Sequence, residues 1–508
     1  MRAHLLILVL AAGCSPDGAF IVVTVETRPA VQDAATLRVT LSNAGSMRTE
    51  DLPLGAAAFP ATFSVSPEDR TGELAISIDA LDKDGALVGR GTALSTIAAA
   101  DVRVMLDPTD FVINTEFADD QQLSNYFGAN GFQLAATPAG TWTAVYNASC
   151  STPCNVFGRR FDVSARPVTS VVAAGTAGFP ISTKLTTFFS TPAVASNGTT
   201  TLAVWNNDDP AAVAYSIECR ALDAAGAAVS NQIQLSTDEF PNLVSVAALA
   251  NGNFAIAWDG RATNTLIRAA IVQPNCALVG TVAAVSPNVA GLLPRRSHVA
   301  ANSTNILYAW TLDGAVRGRI ARNDGSFVAL DTELVPKTAT EVAEYVRVAS
   351  IGTGFALVVR WALSGVFTGP GRLELYRVSN TGTLIGAPTP VSDRSGSDSD
   401  SRESFGVAGR GDGAVLVAWH ACMDKGDGSG CGVFGRLMRS TGAPAGPEFV
   451  LATSTANDQT GPSAVALPDG AFATAWTDRS GAAPDSSGTS VRARIIYPTS
   501  DVTGLVAP

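Results

Sequence analysis

The chain has 508 residues, of which 46% are apolar and 16% charged, a composition that excludes a disordered polymer and supplies a sizeable core. A net charge of -11 excludes nucleic acid or anionic headgroups as the main partner, because neutralising phosphate needs a basic surface. With 47 Gly and 27 Pro alongside abundant Val, Thr and Ala, short strands and tight turns are favoured over helices.

The chain opens with Met1-Arg2-Ala3-His4, an apolar run from Leu5 to Leu10, and then Ala11-Ala12-Gly13-Cys14. The run is too short to span a membrane and reads as a signal peptide over residues 1–13. Small residues directly before a Cys resemble the bacterial lipoprotein box, which implies acylation of Cys14 as the mature N-terminus, with residues 14–18 as a lipidated tether. Membrane attachment through that lipid is the implied partner. The implied address is the bacterial cell envelope, the outer membrane rather than the inner, either periplasmic or surface-exposed.

Residues 19–108 carry no repeat. Segments such as Phe20-Ile-Val-Val-Thr-Val-Glu, Thr36-Leu-Arg-Val-Thr-Leu and Glu73-Leu-Ala-Ile-Ser-Ile-Asp alternate at period two, with turn residues such as Lys83-Asp84-Gly85 between them. They predict a small β-sandwich. It resembles immunoglobulin-like or carboxypeptidase-regulatory-like modules, and a spacer between lipid and the rest is its expected role.

From residue 109 the chain becomes periodic, with units of about 50 to 60 residues, the length at which four-stranded propeller blades are built. Seven Trp occur: Trp142, Trp205, Trp258, Trp310, Trp361, Trp419 and Trp476. They count seven blades. The first strand of each unit ends in an apolar-Ala pair, from Leu134-Ala135 to Val465-Ala466, where a small side chain lets strands converge on a central channel. A tight turn such as Asn251-Gly252 or Asp469-Gly470 leads into the Trp strand. Trp142 and Trp361 stand offset from the common slot, which Tyr146 fills in the first unit. The third strand carries a recurring Arg, at Arg159, Arg220, Arg319, Arg436 and Arg494, for which a structural hydrogen bond or ion pair is expected.

These phrases resemble bacterial extracellular propeller repeats of the type Gly-x-Phe-x-Val-x-Trp, then Val-Phe-Gly-Arg-x-Phe and Gly-x-Pro-x-Gly. The repeat begins on an outer strand, since Phe111-Val112-Ile113-Asn114-Thr115 matches Phe449-Val450-Leu451-Ala452-Thr453. Residues 111–115 are therefore expected to complete the last blade and close the ring, hiding two sheet edges. The expected fold is all-β, an immunoglobulin-like sandwich followed by a seven-bladed propeller over 109–508.

Seven Cys less an acylated Cys14 leave six, an even number suited to an oxidising compartment. Cys150 and Cys154 flank one short loop and Cys422 and Cys431 another, so two local bridges are expected. Cys219 and Cys276 remain, their pairing open. A zinc site at Cys150 and Cys154 is disfavoured, because His298 and His420 are the only mature histidines available as further ligands.

Turns joining strands one to two and three to four read as tight, whereas the two-to-three and four-to-one connections are long. These two families emerge on opposite faces, so one face carries large loops and is the expected binding face. In the sixth unit those loops concentrate acid at Asp393, Asp398, Asp400, Glu403, Asp424 and Asp427. Oxygen ligands on Gly-containing loops suit Ca²⁺, although Arg394, Arg402 and Lys425 dilute the charge and the spacing matches no known calcium loop. No other cofactor is expected. Neither GxSxG, HExxH nor a phosphate loop occurs. The expected function is a non-catalytic binding or scaffold lipoprotein, a monomer that presents its propeller to a protein or glycan. A propeller-type carbohydrate-active enzyme, a glycosidase or lyase, is the alternative.

Overall fold

A computed structural model describes residues 7–8, 20–55, 59–66, 70–99, 101–115, 121, 133–148, 155–168, 178–183, 192–209, 214–236, 242–260, 266–289, 291–364, 371–392, 405–422, 426–486 and 488–498. Every regular element among them is a β-strand.

The N-terminal unit is one curled sheet rather than two separate ones. Its strands run in the order Ala61–Val65, Ile21–Thr27, Asp101–Pro108, Leu87–Thr96, Glu73–Leu81, Thr36–Asn43, Ser46–Pro53, and Ile7–Leu8 lies parallel beside Thr62 and Phe63 at one edge. The alternation of the sequence is realised as burial: Ile21, Val23 and Val25 face inward with Leu37, Val39, Ile76, Ile78, Val102 and Val104 in a single apolar core. The sheet turns its corner at Asp101–Pro108, which pairs parallel with Ile21–Thr27 and then hands over to Gly89 and Arg90. Glycine is required there, because a Cβ on Gly91 would stand 2.3 Å from the Met105 carbonyl oxygen. An immunoglobulin order puts the first strand beside the second. Here the first strand lies between the fourth and the seventh.

Seven four-stranded antiparallel sheets follow, six of them with their strands in chain order from the inside outward, and they form the blades of a propeller. Blade 1 comprises Leu134–Ala136, Thr141–Ala148, Asn155–Asp162 and Phe179–Pro180. Blade 2 comprises Ala193–Ser196, Thr200–Asp209, Ala214–Asp223 and Ile233–Ser236; blade 3, Asn242–Ala248, Phe254–Gly260, Leu266–Val272 and Leu278–Ala284. Blade 4 comprises Arg295–Ala301, Asn305–Leu312, Ala315–Arg322 and Thr332–Val335; blade 5, Glu341–Ser350, Gly354–Leu363, Gly371–Ser379 and Thr389–Ser392. Blade 6 comprises Phe405–Gly409, Val415–Ala421, Gly432–Met438 and Phe449–Val450. Blade 7 takes Gln459–Ala466, Phe472–Asp478 and Ser490–Ile496 from the end of the chain and Phe111–Val112 from before blade 1.

That last pairing sets Phe111 opposite Ala493 and Val112 opposite Arg492, and the Ile113 amide continues it to the Val491 carbonyl. The seam is fixed by a buried charge pair. Arg492 Nε donates to Asp110 Oδ1 at 2.8 Å, and Asp110 also accepts from the Thr453 and Ser454 amides at 2.5 and 3.0 Å. Burial pushes the Asp110 carboxyl up, but Arg492 and these donors outweigh it and hold it below the usual carboxylate range.

Each seam between neighbouring blades has its own apolar cluster, and each Trp belongs to the cluster its blade shares with the preceding one. Trp142 therefore lies in the closure seam between blades 7 and 1. It stacks on Phe161 at 4.5 Å, meets Phe111 of blade 7 edge-on at 6.4 Å, and donates its indole N–H to the Asp162 carbonyl. Its displaced position reaches the closing strand.

The recurring Arg also works across the seams. Arg159 donates to the Ile113 carbonyl at 2.6 Å, Arg220 to Ile181 at 2.6 Å, Arg319 to Val285 at 3.3 Å, Arg436 to Val391 at 2.9 Å and Arg494 to Leu451 at 3.1 Å. In each case a third-strand guanidinium reaches the carbonyl at or just beyond the fourth strand of the preceding blade. In the corresponding register blade 3 has Ala270 and blade 5 has Tyr376. The seam of blades 2 and 3 is instead crossed by the Cys219–Cys276 disulfide. At the seam of blades 4 and 5, His298 Nδ1 accepts from the Val348 amide at 3.1 Å.

The turn after the third strand is tight, as at Asp223, whose Oδ1 accepts from the Ala225 and Ala227 amides. The segment leaving it pairs straight back on the third strand, through Val272 and Leu278 in blade 3 and through bridges such as Leu222 to Ala228 and Val378 to Leu384 in others, before the fourth strand proper.

The N-terminal unit docks on blades 1 and 7. Gln32 bonds the Ser164 carbonyl and accepts from Arg166, Arg28 lies 5.6 Å over the Tyr497 ring, and Arg494 Nε donates to the Pro108 carbonyl.

Candidate functional site

First strands start on the long-loop side of the disc, so their first residues ring the mouth of the central channel there. Four of them are irregular at that point. The register slips between Asn242 and Val244, Arg295 and His298, Ala343 and Tyr345, and Thr460 and Ser463. A bulge inserts an extra residue and re-aims the side chains beside it. At three of the four the extra residue is left-handed, at Leu243, Arg296 and Gly461, with φ of 47°, 60° and 66°. For a long side chain such as Arg this conformation is costly and persists only where the surroundings impose it.

Asp259, at the end of the Trp strand of blade 3, imposes it on blade 4. Its carboxylate accepts from the Arg296 amide at 2.7 Å, the Ser297 amide at 2.9 Å and the Ser297 hydroxyl at 2.6 Å. Burial pushes the Asp259 carboxyl up, and these donors and Arg296 only partly offset it.

Held this way, the Arg296 guanidinium lies 4.1 Å from the centroid of Tyr345 on blade 5, a cation-π stack. Its charge acts on the buried Asp259, but among the described residues the Arg296 guanidinium makes no salt bridge. Behind it lies Arg347, 2% exposed, 6.0 Å from the Tyr345 ring and 5.5 Å from Phe405 of blade 6. Burial pushes the Arg347 guanidinium down to about 10, and the like charge of Arg296 acts in the same direction. Nearby Arg360 is paired with Glu344. Among the described residues, the guanidinium groups of Arg296 and Arg347 outnumber the one unpaired carboxyl, Asp259, at the mouth over blades 3 to 5.

On the opposite arc the mouth holds buried amides beside one buried carboxyl, Asp478, which pairs in register with Gln459 and accepts from the Ser480 hydroxyl. Gln133, next to blade 1, has both side-chain amide atoms buried without a hydrogen-bond partner among the described residues, as have Asn207 of blade 2 at Oδ1 and Gln459 of blade 7 at Oε1. Buried amides of this kind are exceptions that call for a water or ligand.

Of the candidate calcium ligands, Asp393, Asp398, Asp400, Glu403 and Asp424 lie outside the described residues, as do Cys14, Cys150 and Cys154. Asp427 is described. Burial pushes its carboxyl up, the charge of Asp458 adds to this, and its Oδ1 accepts from the Ser429 amide. Asp458, whose Oδ1 accepts from the Cys431 amide, enters from the loop before blade 7. The described residues contain no group of three or more His, Cys, Asp or Glu able to hold a metal. Cys422 and Cys431 form a local disulfide, and Cys219 pairs with Cys276.

Asp259, Arg296, Tyr345 and Arg347 do not stand out in the sequence. The one signal is Arg295-Arg296 in Arg295-Arg296-Ser297-His298, since no other unit has two adjacent basic residues in the four positions before its apolar-Ala pair.

No family model matches the chain, and no curated protein matches it. Among solved structures it is similar to a protein of unknown function from Dyadobacter fermentans, at 11% identity and a TM-score of 0.41, over 77% of this chain and 98% of that one. It is also similar to an ulvan lyase of a new polysaccharide lyase family, at 9% identity and a TM-score of 0.48, over 75% and 94%. A fucose-specific lectin from Aleuria aurantia matches at 10% identity and a TM-score of 0.39, over 65% and 98%. Likeness this remote carries no function across.

Proposed function

We propose that this chain is a non-catalytic binding lipoprotein of the bacterial envelope, anchored through Cys14, in which the N-terminal unit spaces the propeller from the membrane. The long-loop face of the propeller presents the channel mouth to a protein or glycan. One observation carries the non-catalytic reading: two titratable groups of the mouth, Asp259 and His298, are engaged in joining blades. Asp259 holds three donors of blade 4 and His298 Nδ1 holds a blade 5 amide, so neither is poised for proton transfer. The two disulfides support an oxidising compartment.

The test is a glycan array probed with the full chain, with and without EDTA, beside a pull-down from detergent extract. Saturable binding to a glycan or one envelope protein, with bound saccharides recovered intact, is the expected result. Loss of binding in EDTA, restored by Ca²⁺ and not by Mg²⁺, would support a calcium-dependent ligand site. Cleaved saccharide products would overturn the non-catalytic reading in favour of a glycosidase or lyase.

A further inference from the structure

Two features of the mouth are unused by the fold. Arg296 sits on a bulge whose left-handed backbone disfavours it, yet the bulge itself is held through the Arg296 amide, not its side chain. The side chain is half-buried, with its face on Tyr345 and its in-plane N–H edge left over. That edge is the fork that meets a carboxylate with two parallel hydrogen bonds. Across the channel, Gln133, Asn207, Gln459 and Asp478 hold buried amide and carboxyl atoms without partners among the described residues, a set that fits hydroxyl groups better than a second anion. A chain of net charge -11 repels a dense polyanion at long range, so the ligand should bring few charges and many hydroxyls.

Resting on the binding reading above, we infer that the channel mouth recognises an oligosaccharide containing uronic acid, with one sugar carboxylate docked on the N–H edge of Arg296 and sugar hydroxyls facing Gln133, Asn207 and Gln459. Arg347, behind the stack, adds a second positive charge, and Tyr345 fixes the plane of the guanidinium.

The test is calorimetric titration of the full-length protein in detergent with trisaccharides of galacturonate, glucuronate and mannuronate, the methyl ester of each, and an acidic peptide with a free C-terminus. At least one uronate should bind and its ester should bind ten-fold or more weakly. Arg296→Gly is the informative variant. Glycine takes a φ of 60° without cost, so the melting temperature should hold or rise while uronate affinity falls at least ten-fold. Arg296→Lys should keep part of the affinity, since a point charge replaces the fork. Equal binding of acid and ester, or undiminished affinity in Arg296→Gly, would sink the carboxylate assignment while leaving glycan binding intact. Binding of the peptide alone would move the site to a protein ligand. Binding of neither, with the array and pull-down also blank, would remove the binding function itself.

Discussion

At the scale of single residues, this molecule spends its buried charges on joining blades. Arg436 is one of five guanidinium groups that reach back to the preceding blade. Removing it leaves the Val391 carbonyl without that donor, at a cost of about 1–3 kcal/mol. Arg436→Ala should therefore lower the urea midpoint, whereas Arg439→Ala, on an exposed turn, should stay within about 0.5 kcal/mol of the parent. Asp110 adds a pH dependence. Its carboxyl is held below the unfolded value of about 3.9, so its contribution is fully present above that pH and is lost as pH falls through the lower folded value. Asp110→Asn strands Arg492 without its charge partner and should cost about 3–5 kcal/mol at neutral pH. In denaturation measured from pH 7 to pH 2, the variant should show a shallower loss of stability below about pH 4 than the parent, if the loss in the parent comes from this carboxyl.

At the scale of elements, the seams rather than the blades set the cooperativity. The seam of blades 2 and 3 lacks the arginine and has the Cys219–Cys276 disulfide, which closes a loop of sequence separation 57. By chain entropy such a cross-link is worth about 4 kcal/mol. The double variant Cys219→Ala, Cys276→Ala should melt well below the parent, and hydrogen exchange should rise first in blades 2 and 3. Uniform exchange around the ring would show that the disulfide does not stand in for the missing clamp. The closing strand makes a parallel case. Phe111 and Val112 pair with the last blade, and Ile113 is fully buried against it. A chain beginning at residue 116 should lose the sharp unfolding transition, because two sheet edges and the Trp142 cluster become exposed together.

At the scale of the whole molecule, the propeller contacts its N-terminal unit through Arg28, Gln32 and Arg494. A lipid at Cys14 would set the address of the protein. Cys14→Ser should move the protein from the membrane fraction to the soluble fraction and abolish labelling by radioactive palmitate in cells. Continued sedimentation with membranes, without label, would mean that something other than the lipid holds it there.

The sequence by itself determined the architecture, because a propeller is written in local terms. The Trp residues, the apolar-Ala pairs and the turn dipeptides repeat once per blade, and the match of residues 111–115 to 449–453 shows where the ring closes. Packing of this kind has a period, and a period is legible along the chain. The mouth was not legible. Asp259, Arg296, Tyr345 and Arg347 come from three blades and meet only because neighbouring first strands bulge side by side. The strand order of the N-terminal unit was likewise decided by long-range pairing, since alternation identifies strands and faces but not neighbours. Only the tertiary structure could show that the recurring arginines are seam clamps, because their acceptors are backbone carbonyls, which every residue carries and no sequence pattern marks.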